Sequence, residues 1–197
     1  MDNKRFPFAE LINNLSKLPG IGKKSAERIA YDLINRDQSF SKALADSIVN
    51  TRANAKICHR CFNLTDKDPC YICEDPARDS SVICVVEEAK DVMALENADD
   101  YRGLYHVLNG LVDPKKENPN IKLNELLKRV ENEQVKEIIL AINPSAEGEM
   151  TSTYIALMLK PYDVKVTKIA YGLPFGGDMD YFDKDTINMA LNNRREI

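Results

Sequence analysis

Four of the five cysteines stand in two Cys-x-x-Cys pairs, Cys58 with Cys61 and Cys70 with Cys73, and eight residues separate the pairs. A gap of two residues lets both thiolates of one turn point at the same centre, which is the spacing of tetrahedral zinc ligands. Residues 66–69, Asp-Lys-Asp-Pro, can turn the chain back so that the second pair reaches the first. Because a closed four-thiolate site has no open coordination position, we expect one structural zinc ion that stabilises the fold and does not catalyse.

The alternatives for these cysteines are a disulfide or a redox pair. The amino-terminal residues lack the apolar segment of a secretory signal, so we expect the reducing cytoplasm, where disulfides are rare. A redox motif needs one pair, and this chain has two. Cys84 lies in the apolar run at residues 82–86 and is interpreted as a small side chain of a buried strand.

Charge is unevenly distributed along the 197 residues. The net charge is -4, yet residues 1–60 carry 11 Lys and Arg against 6 Asp and Glu. The basic amino-terminal part can contact phosphates, while the acidic remainder can meet protein or metal. No run approaches the roughly 18 apolar residues of a membrane span, so no membrane partner is expected.

Two amphipathic helices are predicted by apolar residues at helical spacing in residues 8–18 and 26–34. Proline and two glycines in the segment at residues 18–22 end the first helix and allow a tight turn. Ser41 is expected to cap a third helix.

Three cations, Lys23, Lys24 and Arg28, lie at the start of the second helix, where unpaired amides and the helix dipole favour an anion. This arrangement resembles a helix-hairpin-helix motif, which holds the DNA backbone without reading bases. The alternative is an ordinary corner between helices with solvated lysines.

Strands alternate with helices in the following segment. Apolar runs at residues 81–86, 105–108, 138–142 and 164–169 predict strands, which indicates a parallel sheet with right-handed crossovers. Sites in such sheets lie beyond the carboxyl ends of the strands. Two acidic loops, residues 87–91 and 143–149, are expected there.

The acidic loops resemble those of a Toprim domain, the magnesium-binding module of topoisomerases and primases, with Glu87 at the strand-end glutamate. Toprim enzymes carry Asp-x-Asp where this chain has Asn143 and Ser145. A site for Mg²⁺ stays open on this comparison, but two carboxylates that would hold the ion are absent and catalytic phosphoryl transfer is not expected. The alternative is that the acids are solvated helix starts.

The carboxyl-terminal segment is predicted to be a loop at residues 171–183, followed by a short helix that Asp183 or Asp185 caps. Its apolar side chains, Leu173, Phe175, Tyr181 and Phe182, stand among acids. They suggest docking on another copy of the chain or on the chain's own sheet.

Four features follow one another along the chain: a helix-hairpin-helix, a four-cysteine zinc site, a Toprim-like domain and the carboxyl-terminal loop and helix. In this order they resemble the RecR family of bacterial recombination mediators from end to end. The resemblance implies an α+β multidomain fold with a helix-hairpin-helix region (1–55), a four-cysteine zinc finger (56–78), a Toprim-like domain with a parallel sheet (79–171) and a carboxyl-terminal loop and helix for oligomer contact (172–197). It implies no catalysis. It also implies DNA repair and recombination with RecO, and in many bacteria RecF, to load RecA onto single-stranded DNA covered by SSB.

Site residues follow from the same resemblance. It assigns zinc to the four paired cysteines, DNA contact to Lys24 and Arg28 with Lys23 as a further candidate, and partner contact to an acidic surface around Glu87, Asp91 and Glu147. It implies a homotetramer ring, or dimers that form it, which binds single- or double-stranded DNA without base specificity in the cytoplasm, at the nucleoid. The chain departs from the family at Ala89, where a proline is usual.

Two other functions fit parts of the pattern. A Toprim-type magnesium-dependent nuclease or primase-like enzyme would cleave or synthesise nucleic acid, and the absence of Asp-x-Asp argues against it. A zinc-stabilised DNA-binding module without a protein partner would not bind a RecO-type protein.

Overall fold

A computed structural model describes residues 8–98, 100–113, 121–170 and 172–194. The chain divides into two compact units, residues 1–55 and residues 56–197, and each is described by itself. None of the helices in the described segments is long and apolar enough to cross a membrane.

The first unit consists of three helices, α1 (Ala9–Leu15), α2 (Lys23–Asn35) and α3 (Gln38–Asn54). Ala26 and Ala30 are buried on α2, and α1 packs against this helix. The prediction that Ser41 caps α3 is wrong, because the helix already begins after Asp37. The Ser41 hydroxyl lies within the helix and donates to the carbonyl of Leu33 at 3.2 Å.

The second unit opens with a small finger. Strands β1 (Lys56–Ile57) and β2 (Leu64–Thr65) pair antiparallel, and a single helical turn, α4 (Tyr71–Glu74), follows. The finger therefore has almost no regular structure of its own, as expected of a module held by a metal.

A four-stranded parallel sheet forms the body of the second unit. Its strands β3 (Asp79–Val86), β4 (Gly103–Val107), β5 (Glu137–Ala141) and β6 (Lys165–Lys168) lie in the order β4-β3-β5-β6. The crossovers contain the helices α5 (Ala89–Asn97), α6 (Leu123–Asn132) and α7 (Ala146–Leu159). The α+β fold class predicted from the sequence is confirmed.

Alternate residues of β3 face two different cores. Ile83 and Val85 belong to a cluster that includes side chains of α6 and α7, whereas Cys84 and Val86 belong to a second cluster with α5. Phe62 of the finger packs against this second cluster. Cys84 is thus a buried strand residue, as predicted, and the finger covers part of one face of the sheet.

The described carboxyl-terminal residues contain a 3-10 turn (Met179–Tyr181) and helix α8 (Lys184–Asn192). Asp183 caps α8, because its carboxylate accepts from the amides of Asp185 and Thr186 at 3.0 and 2.9 Å. An open pocket of about 440 Å³ is lined by Met189 and Asn192 of α8, Glu149 of α7 and Lys168 of β6. Phe175 and Tyr181 remain exposed in the loop before it.

Candidate functional site

The four paired cysteines converge. Their sulfur atoms all lie within 4.8 Å of one another, and those of Cys61 and Cys70 are 3.5 Å apart. Cys58, Cys61 and Cys70 are buried and Cys73 is half-buried. Within the described segments, this is the one group of three or more His, Cys, Asp or Glu side chains close enough to share a metal ion.

Backbone hydrogen bonds fold the first pair into a tight loop. Phe62 adopts a left-handed conformation with φ 62°, and its amide donates to the carbonyl of Cys58 at 2.9 Å. The Cys58 amide donates to the carbonyl of Asn63, also at 2.9 Å. The amide of Cys70 donates to the sulfur of Cys58 at 3.4 Å and ties the second pair to the first.

The thiols shift one another's acidity. Hydrogen bonds from Cys61 and Cys73 lower the pKa of Cys70 to about 2. The shared hydrogen bond with Cys70 raises the pKa of Cys61 to about 12, and the hydrogen bonds with Cys61 and Cys70 raise the pKa of Cys73. Thiolates this close repel one another, so a cation is needed to hold the four sulfurs deprotonated together. Four sulfur donors at these separations fit Zn²⁺.

The finger is bonded to the sheet beside it. The Val107 amide of β4 donates to the carbonyl of Cys61 at 2.8 Å. The ring of Phe62 meets the ring of His106 edge-on, with centroids 5.4 Å apart. Burial lowers the pKa of His106 to about 3, so its imidazole is neutral, and one ring nitrogen bonds the carbonyl of Lys122 at 2.7 Å. His106 is therefore a structural residue.

The turn before α2 has the geometry that an anion site requires. Gly20 has φ 77°, and the Ile21 amide donates to the carbonyl of Leu18 at 3.1 Å, which fits a type II turn with proline second and glycine third. Gly22 precedes the helix in an extended conformation, and no side chain caps the helix start. The first-turn amides therefore have no intrahelical partner, and they lie at the positive end of the helix dipole.

Lys23, Lys24 and Arg28, predicted to contact DNA, all lie in the first two turns of α2 and are exposed. Lys24 and Arg28 are four positions apart and so share one helix face. Neither forms an ion pair with another residue of the described segments. The first unit thus combines an uncapped helix start with side-chain cations, the two elements of phosphate recognition.

The two acidic loops meet at the carboxyl ends of β3 and β5. The Asn143 side-chain amide donates to the carboxylate of Glu87 at 3.3 Å. Gly148 lies against the backbone of Asn143, since a Cβ there would collide with the Asn143 carbonyl oxygen. Of the other predicted contact residues, Asp91 accepts from the Glu88 amide at 2.8 Å, and Glu147 is exposed in the first turn of α7.

The acidic edge, defined as Glu87, Asp91 and Glu147 with Asn143 between them, does not form a cluster of metal ligands within the described segments. Asp91 serves the start of α5, in line with the alternative that these acids are helix starts. Glu87 is instead bonded across to the neighbouring loop. The sequence predicted where the loops meet, and it did not reveal that Asn143 holds Glu87.

Family models match the chain in four consecutive segments. The RecR helix-hairpin-helix model matches residues 8–52, the RecR four-cysteine zinc finger model residues 55–75, a Toprim domain model residues 81–170, and the RecR carboxyl-terminal model residues 172–195. The chain belongs to the RecR family. The RecR zinc finger match and the clustered sulfurs identify the four cysteines as ligands of a structural zinc ion.

Membership of the RecR family supports a role as a mediator in recombination repair, together with DNA binding and oligomerisation. The matches are also divided between the two units. The helix-hairpin-helix match falls in the first unit, whereas the zinc finger, Toprim and carboxyl-terminal matches fall in the second. The domain boundaries at residues 55, 78 and 171 stay a prediction.

Proposed function

We propose that this RecR family protein is a non-catalytic mediator that binds DNA and acts with a RecO-type protein, and with a RecF-type protein where one is present. Together they load RecA recombinase onto single-stranded DNA covered by SSB, at the nucleoid in the bacterial cytoplasm. The observation that carries the proposal is the uncapped start of α2 flanked by exposed cations, in a chain that matches RecR models at residues 8–52, 55–75 and 172–195.

DNA contact is assigned to Lys24 and Arg28, with Lys23 beside them. Amides at a helix start and flexible cations recognise phosphate, which every nucleotide carries, and they do not read base edges. The protein is therefore expected to bind single and double strands without base preference.

The absence of catalysis is supported by Asn143. In a Toprim enzyme this strand end supplies a carboxylate, whereas here an amide donates a hydrogen bond to Glu87. A carboxamide is uncharged, so this strand end lacks the negative ligand that a Toprim enzyme offers to a divalent cation, and its amide nitrogen is engaged with Glu87. The hydrogen bond from Asn143 holds the Glu87 side chain at the surface of this edge of the sheet.

The acidic edge is proposed as the contact for the RecO-type partner. Residues 61–197 carry 16 Lys and Arg against 25 Asp and Glu, and this field attracts a basic surface. Glu87 and Glu147 present carboxylates there, and Asp91 keeps α5 in place while remaining at the edge. Charge at such a rim mainly sets partner choice and association rate.

Assembly is supported by apolar surface in each unit. In the first unit α1, α2 and α3 leave an open apolar cavity of about 460 Å³, which Leu11, Leu15, Leu44 and Ile48 help to line. In the second unit the tail exposes Phe175 and Tyr181. Patches of this kind mark association surfaces, and we assign both to contacts between copies of the chain in a dimer or a tetramer ring.

The test is RecA loading on a circular single strand covered by SSB, followed through the DNA-dependent ATPase activity of RecA. The protein together with a RecO-type partner should abolish the lag before ATP hydrolysis. The double variant Lys24→Glu, Arg28→Glu should restore the lag, and Lys42→Glu, which reverses an exposed charge on α3, should not. A lag that the wild type leaves unchanged would refute the mediator function.

The same preparation tests the enzymatic alternative. Incubation with labelled DNA, nucleotides and Mg²⁺ in the absence of partners should give neither shortened nor extended strands. Products of either kind would favour the Toprim-type nuclease or primase-like enzyme, provided that they disappear in Glu87→Gln. A protein that binds DNA but retains no RecO-type partner in a pull-down would favour the plain DNA-binding module.

A further inference from the structure

Arg60 lies between the two cysteines of the first pair and reaches the second pair. One guanidinium nitrogen, Nη1, donates to the carbonyl of Cys73 at 3.1 Å. Nε and Nη2 donate to the two carboxylate oxygens of Glu133 at 3.3 and 3.0 Å. A single side chain thus joins both ligand pairs to a residue at the end of α6.

Glu133 is held from its other side by Arg129. Nε and Nη2 of Arg129 donate to the same carboxylate at 3.3 and 3.4 Å, and its Nη1 donates to the Tyr105 carbonyl of β4 at 2.7 Å. The side chain of Arg129 is only 7% exposed, against 30% for Arg60 and 24% for Glu133. The carboxylate is thus fixed between two guanidinium groups, one of which is anchored in the sheet.

The charge of Glu133 is compatible with its burial between Arg60 and Arg129. Burial alone would raise the pKa of Glu133, but hydrogen bonds from Arg60 and Arg129 bring it below the usual value. Glu133 is therefore a carboxylate at neutral pH, which keeps its bidentate contacts with the two guanidinium groups at full strength.

We infer that Arg60 is a positioning residue of the zinc site, acting from outside the ligand set. It fixes the backbone of Cys73 relative to Cys61, so that the two pairs are held at ligand distance when the metal binds. Its guanidinium also offsets the net negative charge that four thiolates leave on a zinc ion. Groups that orient metal ligands in this way commonly contribute about 10- to 100-fold in metal affinity.

The finger offers a matched control. Lys67 and Glu74 form an ion pair in the same module, but their side chains are 47% and 37% exposed and neither bonds a ligand carbonyl. Solvent screening makes such a pair weak. Removing it should change zinc binding by less than about twofold on the same principle.

The experiment measures zinc release from the full chain to a chromogenic chelator, 4-(2-pyridylazo)resorcinol. Arg60→Met should release zinc about tenfold faster than the wild type, and Lys67→Met should match the wild type. Glu133→Gln keeps the shape of the partner and loses its charge, so it should show most of the same effect. The double variant Arg60→Met, Glu133→Gln should release zinc no faster than Arg60→Met alone, because both changes break the same contact.

A general loss of stability is separated from positioning by the ¹¹³Cd resonance of the cadmium-loaded protein, which reports the sulfur geometry directly. It should shift in Arg60→Met and stay in place in Lys67→Met. If Arg60→Met fails to fold, Arg60→Lys takes its place, since a lysine keeps the charge but cannot bond Glu133 and the Cys73 carbonyl together. Wild-type release and an unshifted resonance in Arg60→Lys and Glu133→Gln would overturn the inference, as would additive effects in the double variant.

Discussion

Replacing Lys24 and Arg28 together by glutamine should reduce both the affinity for DNA and its dependence on salt. The two side chains are exposed and form no ion pair in the described segments. Their removal therefore leaves the helices intact and withdraws only charge from the start of α2. A neutral substitution is preferable to charge reversal here, because it does not add repulsion of its own.

The magnitude follows from counterion release. Each neutralised phosphate contributes about 0.7 to the slope of log affinity against log salt on single strands, and about 0.9 on duplex DNA. Losing two contacts for each bound protomer should therefore flatten the slope by about 1.4 on single strands and about 1.8 on duplex. Over a tenfold rise in salt, the wild type should lose roughly 25-fold more single-strand affinity than the variant.

Fluorescence anisotropy of a labelled oligonucleotide across a salt series measures both slopes. Lys42→Gln is the matched control, since Lys42 is exposed on α3 of the same unit and away from the start of α2. It should leave the slope within the error of the wild type. Strands of different sequence should give the same change, because phosphate contacts carry no base information.

A slope for the double variant equal to that of the wild type would refute phosphate binding at the start of α2. An equal reduction of the slope in Lys42→Gln would indicate that DNA is attracted by the overall positive charge of residues 1–60 and not by a site at the start of α2. Weaker binding with an unchanged slope would mean that the two side chains contact DNA without displacing counterions, which also contradicts the argument.

Three further outcomes are expected. Gly148→Ala should lower the free energy of unfolding by about 1–3 kcal/mol in urea, because its Cβ would meet the Asn143 carbonyl oxygen; Gly172→Ala, in open space, should cost far less. Metal analysis should return one zinc per chain, and strong chelation should lower the thermal midpoint, whereas a chain without zinc and with an unchanged midpoint would contradict a structural metal. Burial raises the pKa of Glu96, but Arg78 and the Tyr105 hydroxyl lower it below the ordinary 4.5. The ionised side chain of Glu96 therefore contributes to the free energy of unfolding above pH 4.5, and this contribution is lost as the pH falls through the lower pKa of the folded state. The wild type should therefore exceed Glu96→Gln in urea stability at pH 7, and the difference should shrink as the pH falls below 4.5. A difference independent of pH would exclude the ion pair with Arg78 as its source.

Features that depend on neighbouring residues could be predicted from the sequence. The Cys-x-x-Cys spacing identified the ligands, because a two-residue gap constrains the geometry within one turn. The turn with proline and glycine located the start of α2, since few residues other than glycine accept φ 77°. The alternation of strands with helices was enough to place Glu87 and Asn143 at one edge of a parallel sheet.

Features that depend on contacts between residues far apart in the sequence could not be predicted. The start of α3 was placed too late because Asp37 caps nothing with its side chain and the helix buries no residue, so its first turn has no apolar face to mark it. The strand order β4-β3-β5-β6 is set by which crossover packs on which face, and alternation alone does not decide this. Arg60 and Glu133 are 73 positions apart, and neither residue type signals a partner.

The finger and the acidic edge are connected by three consecutive peptide groups. The amide of Val107 donates to the carbonyl of the zinc ligand Cys61, the amide of Leu108 to Val86 at the end of β3, and the amide of Asn109 to Glu87, at 2.8 to 2.9 Å. Because these three hydrogen bonds are made by consecutive amides, a displacement of the finger would strain the bonds that hold the backbone of Val86 and Glu87. The metal therefore does more than close a small loop: it helps to fix one end of the surface that we assign to the partner.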